Sequence, residues 1–338
     1  MKTSKSSGSS SPAATRISVP VPHTGVVAED VWSGVRGALA SARGEVDRHW
    51  DARAASGTGV KEETLTDILL TAAGDPVRYA DFSKHEEALV GADWLWWFVD
   101  PSGECFGLLV QAKVLKREGN KWVAGFDYRS GGDSQMAKLL RAARDMEVSA
   151  AYVLYCGSAE HRTGLACGRS HRDGCDRCAR SGVSVVSALC AQCLSGLDRD
   201  AVRIFETSEP LEDLADPSRS SLRVPDLNFK VVGDDLKAFL RDPQTGARQV
   251  AKAFFKQVSD LRSLAFRRAG DPVVRYDSSQ MFTDLPPDPG HFGVPYFEHV
   301  LRGLRTGLPA EIEDLLPGAP VQPDSVYAGL RGVAVFEL

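Results

Sequence analysis

"GADWLWWFVDPSGECFGLLVQAKVL", residues 91–115, decides how the chain folds. Two apolar, aromatic runs flank Asp100-Pro101-Ser102-Gly103, a turn composition, and predict a β-hairpin with strands at 93–99 and 105–113. Side chains alternate along a strand, so Gln111 and Lys113 share one face and Ala112 takes the other. Pairing of the two strands brings Asp93 beside them. A carboxylate, an amide oxygen and an ammonium then meet at one end of a rigid sheet. Hard oxygen donors suit Mg²⁺ or Mn²⁺, which lowers the pKa of a bound water and offsets charge at a phosphate. A neighbouring ammonium orients that water or stabilises the developing charge. Each residue also has a plainer reading. Asp93 could cap a turn, Gln111 could bond to backbone, and Lys113 could be an edge charge that discourages aggregation.

The flanking sequence extends the pattern. Residues 27–54 read as an amphipathic helix with Val31, Val35, Leu39, Ala42 and Val46 on one side. A second helix falls at 62–70, stopped by Gly74-Asp75-Pro76, and residues 77–82 form a short strand. Residues 133–147 predict a helix capped by Asp133 and carrying Gln135, and 150–155 predict a buried strand. Helix, strand, hairpin, helix, strand is an α/β order with a central mixed sheet flanked by helices. Further on, 183–186 returns to the sheet, 234–268 is helical with a break near Pro243, 284–290 is a loop, and 332–338 is a terminal strand. The expected organisation is a tail at 1–24, a core at 25–160, a Cys-rich insertion at 161–200 and a mostly helical C-terminal region at 201–338. Trp94, Trp96 and Trp97 are expected to pack the sheet; stacking on bases is the other use of such rings.

The totals exclude little. Among 338 residues, 43% are hydrophobic and 25% charged, as in soluble globular proteins, and the net charge of −5 does not advertise nucleic acid. An enzyme needs only a local basic face, so the average does not exclude it. No apolar run has the length of a membrane span and the Ser-rich start has no apolar core, so no membrane and a cytoplasmic location are expected. Seven cysteines, five of them between Cys167 and Cys193, suit a metal or reduced thiols better than disulfides. Cys175 and Cys178, with Cys190 and Cys193, are two CxxC pairs with the makings of a tetrahedral structural Zn²⁺ site. Cys167, His161 or His171 could replace any one ligand. The plainer reading places Cys190 and Cys193 on a helix as small buried residues. Arg177, within the same segment, is a candidate DNA contact.

Gly91-Ala92-Asp93 and Gln111-Ala112-Lys113 resemble the motif of the PD-(D/E)xK nuclease superfamily, in particular its Mrr-like restriction-endonuclease branch, in which the (D/E)xK element reads QxK. Residues 62–155 also look like a bacterial domain family that shares an ExxTD-like helix, a GADWxW strand, a QAK strand, a Gln-bearing helix and a Tyr-rich strand. The resemblance implies a restriction-endonuclease-like core and Mg²⁺-dependent hydrolysis of DNA phosphodiester bonds, in defence against foreign DNA. It implies Asp93 as central metal ligand, Gln111 in the second acidic position, and Lys113 as the catalytic lysine. Glu63 on the preceding helix, or Glu87, would supply the acid that Gln111 lacks, and Gln135 would sit near the nucleic acid. It also implies a homodimer. The rivals are a catalytically silent nucleic-acid- or protein-binding module on the same fold, and an effector that a defence-system partner protein activates.

Overall fold

Asp100 closes the hairpin. Its Oδ1 accepts from Ser102 N at 2.9 Å and Ser102 Oγ at 2.5 Å, and Gly103 completes the reversal with φ 87°. In the computed structural model, which describes residues 27–82, 91–126, 129–130, 133–165, 175–197, 199–220, 224, 234–268, 300–322 and 324–338, the strands are β2 (Trp94–Val99) and β3 (Cys105–Val114). β1 (Val77–Asp81) precedes them. Two small ladders follow: β4 (Lys116–Glu118) with β5 (Lys121–Val123), and β6 (Arg129–Ser130) with β7 (Asp133–Ser134). β8 (Ser149–Tyr155), β9 (Val183–Ser187), β10 (Glu209–Pro210), β11 (Leu304–Arg305) and β12 (Gly332–Glu337) complete the strands among the described residues.

The main sheet has the order β1-β12-β2-β3-β8-β9-β10, with β11 also on β3. It is mixed: β12 is parallel to β2 and β8 is parallel to β3, while the other ladders are antiparallel. The fold is therefore α/β with a mixed central sheet flanked by helices. The sheet crosses the boundaries expected at 160 and 200, because β9 and β12 belong to it. The terminal strand of the sequence reading is not at an edge. It is wedged between β1 and β2, and Phe336 stacks on Phe98 at 4.7 Å and meets Trp96 edge-on at 5.2 Å. β2 is buried on both faces from Trp94 to Phe98, so its three tryptophans are core residues.

The helices follow the predicted pattern. α1 (Val27–Ala55) buries Val35, Leu39, Ala42 and Val46; the side chain of Val31 lies outside the described residues. α2 (Glu62–Ala73) buries Leu65, Thr66, Leu69, Leu70 and Ala73. α3 (Gln135–Asp145) is capped by Ser134, whose hydroxyl accepts from Ala137 N at 3.1 Å, rather than by Asp133. Ser134 stands one residue nearer the helix, at the position from which a hydroxyl reaches the orphan amide. α4 (Asp176–Arg180), α5 (Ala188–Leu194), α6 (Asp200–Thr207) and α7 (Leu211–Leu214) surround β9 and β10. α8 (Asp234–Arg241) and α9 (Gly246–Arg268) are separated at the break that Pro243 predicts, and the loop expected at 284–290 lies outside the described residues. α9 docks on the hairpin turn. Asp100 Oδ2 accepts from Ala247 N at 3.3 Å, and Arg248 forks onto both oxygens of Glu104 at 2.7 Å, holding that carboxyl below its usual range.

A partly buried carboxylate on α1 makes stability depend on pH. Asp47 lies so close to Gly182 that a Cβ there would collide with it, and its Oδ1 has no hydrogen-bond partner among the described residues. Burial pushes its pKa up to about 6, against the pull of Arg162 and Arg43. An acid raised in the native state binds its proton more tightly when folded. Stability therefore falls as pH rises from about 4 to 6, and the full cost is present above that. Asp47→Asn should stabilise the protein by about 1–2 kcal/mol at pH 7.5, after the lost pairing with Arg43, and much less at pH 4.5. Thermal melts of both proteins at the two pH values check this; an equal shift at both would contradict the assignment.

Candidate functional site

β3 outruns its partner. Trp94 opens β2 opposite Val110, so residues 111–114 of β3 have β8 on one side and, among the described residues, no strand on the other. Amide direction alternates along a strand, so Ala112 and Val114 both present N–H to this open side. Such groups need acceptors. Asp93 Oδ2 accepts from Ala112 N at 2.8 Å, and Glu62 Oε1, in the first turn of α2, accepts from Val114 N at 3.1 Å. Two carboxylates thus line the open edge, one at each of these two amides.

The polar side chains on the adjoining face form a continuous chain of bonds. Gln111 is 3% exposed and Lys113 7%, so each must be satisfied internally. Lys113 Nζ donates to Gln135 Oε1 at 2.7 Å, Gln135 Nε2 donates to Gln111 Oε1 at 2.9 Å, and Gln111 Nε2 donates to Asp93 Oδ2 at 2.6 Å. Gln111 Nε2 also meets the Ala112 carbonyl at 3.2 Å. The direction of the chain is dictated by its ends: an ammonium only donates and a carboxylate only accepts. Gln135 touches the Gln111 and Lys113 side of the sheet. Thr66 of α2 accepts from Tyr155, the register partner of Val114, at 2.7 Å, so α2 and α3 cover opposite faces. Tyr152, the register partner of Gln111, packs edge-on against Phe126 at 5.2 Å, and its buried hydroxyl has no partner among the described residues. Burial pushes both phenols well up, and the Asp93 carboxylate adds to this in each.

Arg331, just before β12, also neighbours Asp93. Its N–H donates to Asp93 O at 2.7 Å, and its guanidinium lies 3.9 Å from Glu63 and 3.7 Å from Asp67. Burial lowers the pKa of Arg331 and raises that of Asp67, which also feels Asp81.

A family match spans residues 36–330 and carries the description "Family of unknown function (DUF6615)". The chain belongs to that family. No curated protein matches the chain, and no solved structure matches it. The DUF6615 match takes in the hairpin, α2 and α3, hence Glu62, Asp93, Gln111, Lys113 and Gln135; Arg331 is the first residue past it.

Of the residues that the sequence singles out, the DUF6615 chain brings four into one bonded group: Asp93, Gln111, Lys113 and Gln135. Glu63 is not part of it. It is 48% exposed and faces Arg331, and its neighbour Glu62 is the helix acid at the β3 edge. The helix period carries this signal. Glu62 precedes the buried Leu65, Thr66 and Leu69 by three, four and seven residues, whereas Glu63 shares its stripe with Asp67. Glu62→Ala leaves Val114 N–H without its acceptor and should cost about 1–2 kcal/mol, while Glu63→Ala should stay within about 0.5 kcal/mol. Urea unfolding of the two variants checks this, and the reverse ranking would remove Glu62 from the site.

Glu87 lies outside the described residues. Arg177 is engaged in the fold rather than displayed. It donates to Ser208 O and lies 3.6 Å from Glu209, within an ion-pair group in which Arg180 meets Asp213 at 2.8 Å and Arg219 meets Glu209 at 3.1 Å. The local basic count suggests a DNA contact; the acids that neutralise it come from β10 and α7. Cys175 and Cys178 stand at α4, and Cys190 and Cys193 on α5, where Cys190 is fully buried and its thiol is pushed well up by that burial. No group of three or more His, Cys, Asp or Glu side chains placed to share a metal occurs among the described residues. Cys167 and His171 lie outside the described residues, and His161 sits between Trp50 at 4.8 Å and Trp122 at 5.4 Å. No helix among the described residues is long and apolar enough to cross a membrane.

Proposed function

We propose that the open edge of β3 is a nuclease site, at which the protein hydrolyses DNA phosphodiester bonds with Mg²⁺ on a restriction-endonuclease-like core. One observation carries the reading: Asp93 Oδ2 and the Ala112 carbonyl converge on a single point, occupied by Gln111 Nε2 at 2.6 and 3.2 Å. The two ends of an amide have nearly the same shape. Turned end for end, Gln111 adds a third oxygen where two already face each other. Three oxygens in contact repel unless a cation lies among them, and Mg²⁺ takes oxygen ligands of this kind with few carboxylates. The residues therefore fit the ion, with Asp93, the Ala112 carbonyl and a turned Gln111 as its holders and Glu62 as the second acid on the same edge. The five elements on which the resemblance rests form one patch of sheet with its two covering helices, which supports the same reading.

Bound there, the ion would supply an activated water and offset charge on the phosphate. The chain's own residues do the rest. Asp93 is fixed by the Ala112 amide, so its carboxylate is set before substrate arrives. Lys113, on a buried stem, presents the cation of the bonded group to an incoming phosphate. Tyr155 stays a neutral phenol against Thr66 and packs the floor.

A second reading has its own support. As it stands, the chain from Lys113 to Asp93 satisfies every member without an ion, as a silent binding module on this fold would require. Supercoiled plasmid separates the two. Nicking with Mg²⁺ that stops on chelation and in Asp93→Asn supports the nuclease. Retention of plasmid on the protein with no cut under any divalent ion supports the module.

A further inference from the structure

The bonds from Lys113 to Asp93 run in one direction, and that direction governs how the ion site would open. We infer that the two glutamines couple cation binding at Asp93 to release of Lys113, so that the lysine is held until the site is loaded; this rests on the nuclease reading above. Lys113 Nζ requires an acceptor, so Gln135 must point Oε1 at it, 2.7 Å away. That choice leaves Gln135 Nε2 facing Gln111, which must answer with Oε1 at 2.9 Å. Gln111 Nε2 is then forced toward Asp93 and the Ala112 carbonyl. The ammonium, two residues along β3, thereby decides which end of Gln111 faces the ion site.

The same logic runs backwards. For Gln111 to offer oxygen beside Asp93, its Nε2 must face Gln135, which must then present Oε1 to Gln111. Gln135 Nε2 now points at Lys113, donor against donor. The ammonium has to leave that partner, and it then becomes available to a phosphate at the open edge. Gln135 is thus a positioning residue: it acts through Gln111 on the ion and through Lys113 on the substrate. It stands at the first position of α3, fixed by the Ser134 cap, so it has a defined place from which to bridge the two β3 side chains.

Removing the bridge should separate the two ends. Mn²⁺ binding to the full chain, measured by calorimetry and by counting free ion by electron paramagnetic resonance, gives a readout independent of cleavage. Gln135→Leu, which neither donates nor accepts, should raise Mn²⁺ affinity about tenfold, the worth of one hydrogen bond to a charged group. In a Lys113→Met background, where nothing pins the amides, the same change should gain nothing; the loss of positive charge then affects both members equally and cancels. Gln135→Glu accepts from both neighbours, so it should also raise Mn²⁺ affinity while keeping Lys113 in place. In the parent, Mg²⁺ should shift the side-chain ammonium resonance that Lys113→Met deletes; in Gln135→Leu it should not. Equal gains from Gln135→Leu in both backgrounds, or Mn²⁺ affinity unchanged by it, would refute the coupling and leave the nuclease reading intact. If the parent binds no Mn²⁺ and Asp93→Asn changes nothing, the ion site itself is refuted, and the coupling with it.

Discussion

Deletion of residues 332–338 is expected to leave a chain without a cooperative unfolding transition. β12 is hydrogen-bonded on both sides, antiparallel to β1 and parallel to β2, over Gly332–Glu337. Val333, Val335, Phe336 and Leu338 are each 2% exposed or less. Burial of such side chains is worth about 1.5–3 kcal/mol each, or roughly 6–12 kcal/mol together, against about 5–15 kcal/mol for the net stability of a domain. The lost strand also strands β1, whose neighbour among the described residues is β12, and exposes the edge of β2. The effect reaches the site directly, because Arg331 N, at the entry to β12, donates to Asp93 O. Far-UV circular dichroism during a urea titration of the shortened chain is the measurement. A sigmoidal transition with a midpoint near that of the full chain would show that the sheet does not depend on its C-terminal strand. A milder version tests the same packing: a Cβ at Gly332 would meet Ala80 O and the Trp94 ring, so Gly332→Ala should also destabilise.

What the sequence discloses and what it withholds divide along physical lines. The hairpin is legible because two continuous apolar runs, a turn built on Asp100 and Gly103, and strand lengths within the ordinary range all agree. Once the hairpin is read, the convergence of Asp93, Gln111 and Lys113 follows from alternation alone. Gln135 joins them for a reason that no local pattern states: a helix crossing back from β7 to β8 places its first residue over the face it covers. The position of β12 is illegible because a strand's own residues specify that it pairs, not with which neighbour, when over two hundred residues separate it from β2. The choice of Glu62 over Glu63 is within reach of the helix period, but the resemblance points to the neighbour. The CxxC spacing shows that each pair is local and says nothing of whether two pairs meet. Arg177 illustrates a similar limit, since a count of nearby arginines contains none of the acids, Glu209 and Asp213, that come from about thirty residues downstream.

Asp93→Asn is expected to reduce Mg²⁺-dependent plasmid cleavage by at least about a hundredfold, the scale of losing one preorganised electrostatic group in a hydrolytic site. The change is chosen for shape. Asparagine keeps an oxygen for the Ala112 amide, so the 2.8 Å bond that anchors the side chain survives. What it loses is the negative charge and one of two acceptor oxygens, and with them the attraction for a divalent ion. The remaining end of the chain also suffers. In the parent, Ala112 N and Gln111 Nε2 already share the one oxygen, Oδ2, so both bonds can persist on the amide oxygen, but each loses a charged acceptor and weakens, together by about 0.5–1.5 kcal/mol. Stability should therefore fall by no more than about 2 kcal/mol, far too little to unfold a domain and far less than the activity loss implies. Activity and thermal melting measured on the same preparation distinguish the outcomes. A folded Asp93→Asn protein with no cleavage supports the ion-binding role, and one that cuts like the parent removes Asp93 from the chemistry. Lys113→Met provides the contrast: it deletes the cation but leaves the oxygens, so it should lose cleavage while still binding Mn²⁺. A variant that binds the ion and does not cut, beside one that does neither, would assign the two halves of the site to the two ends of a single hydrogen-bonded chain.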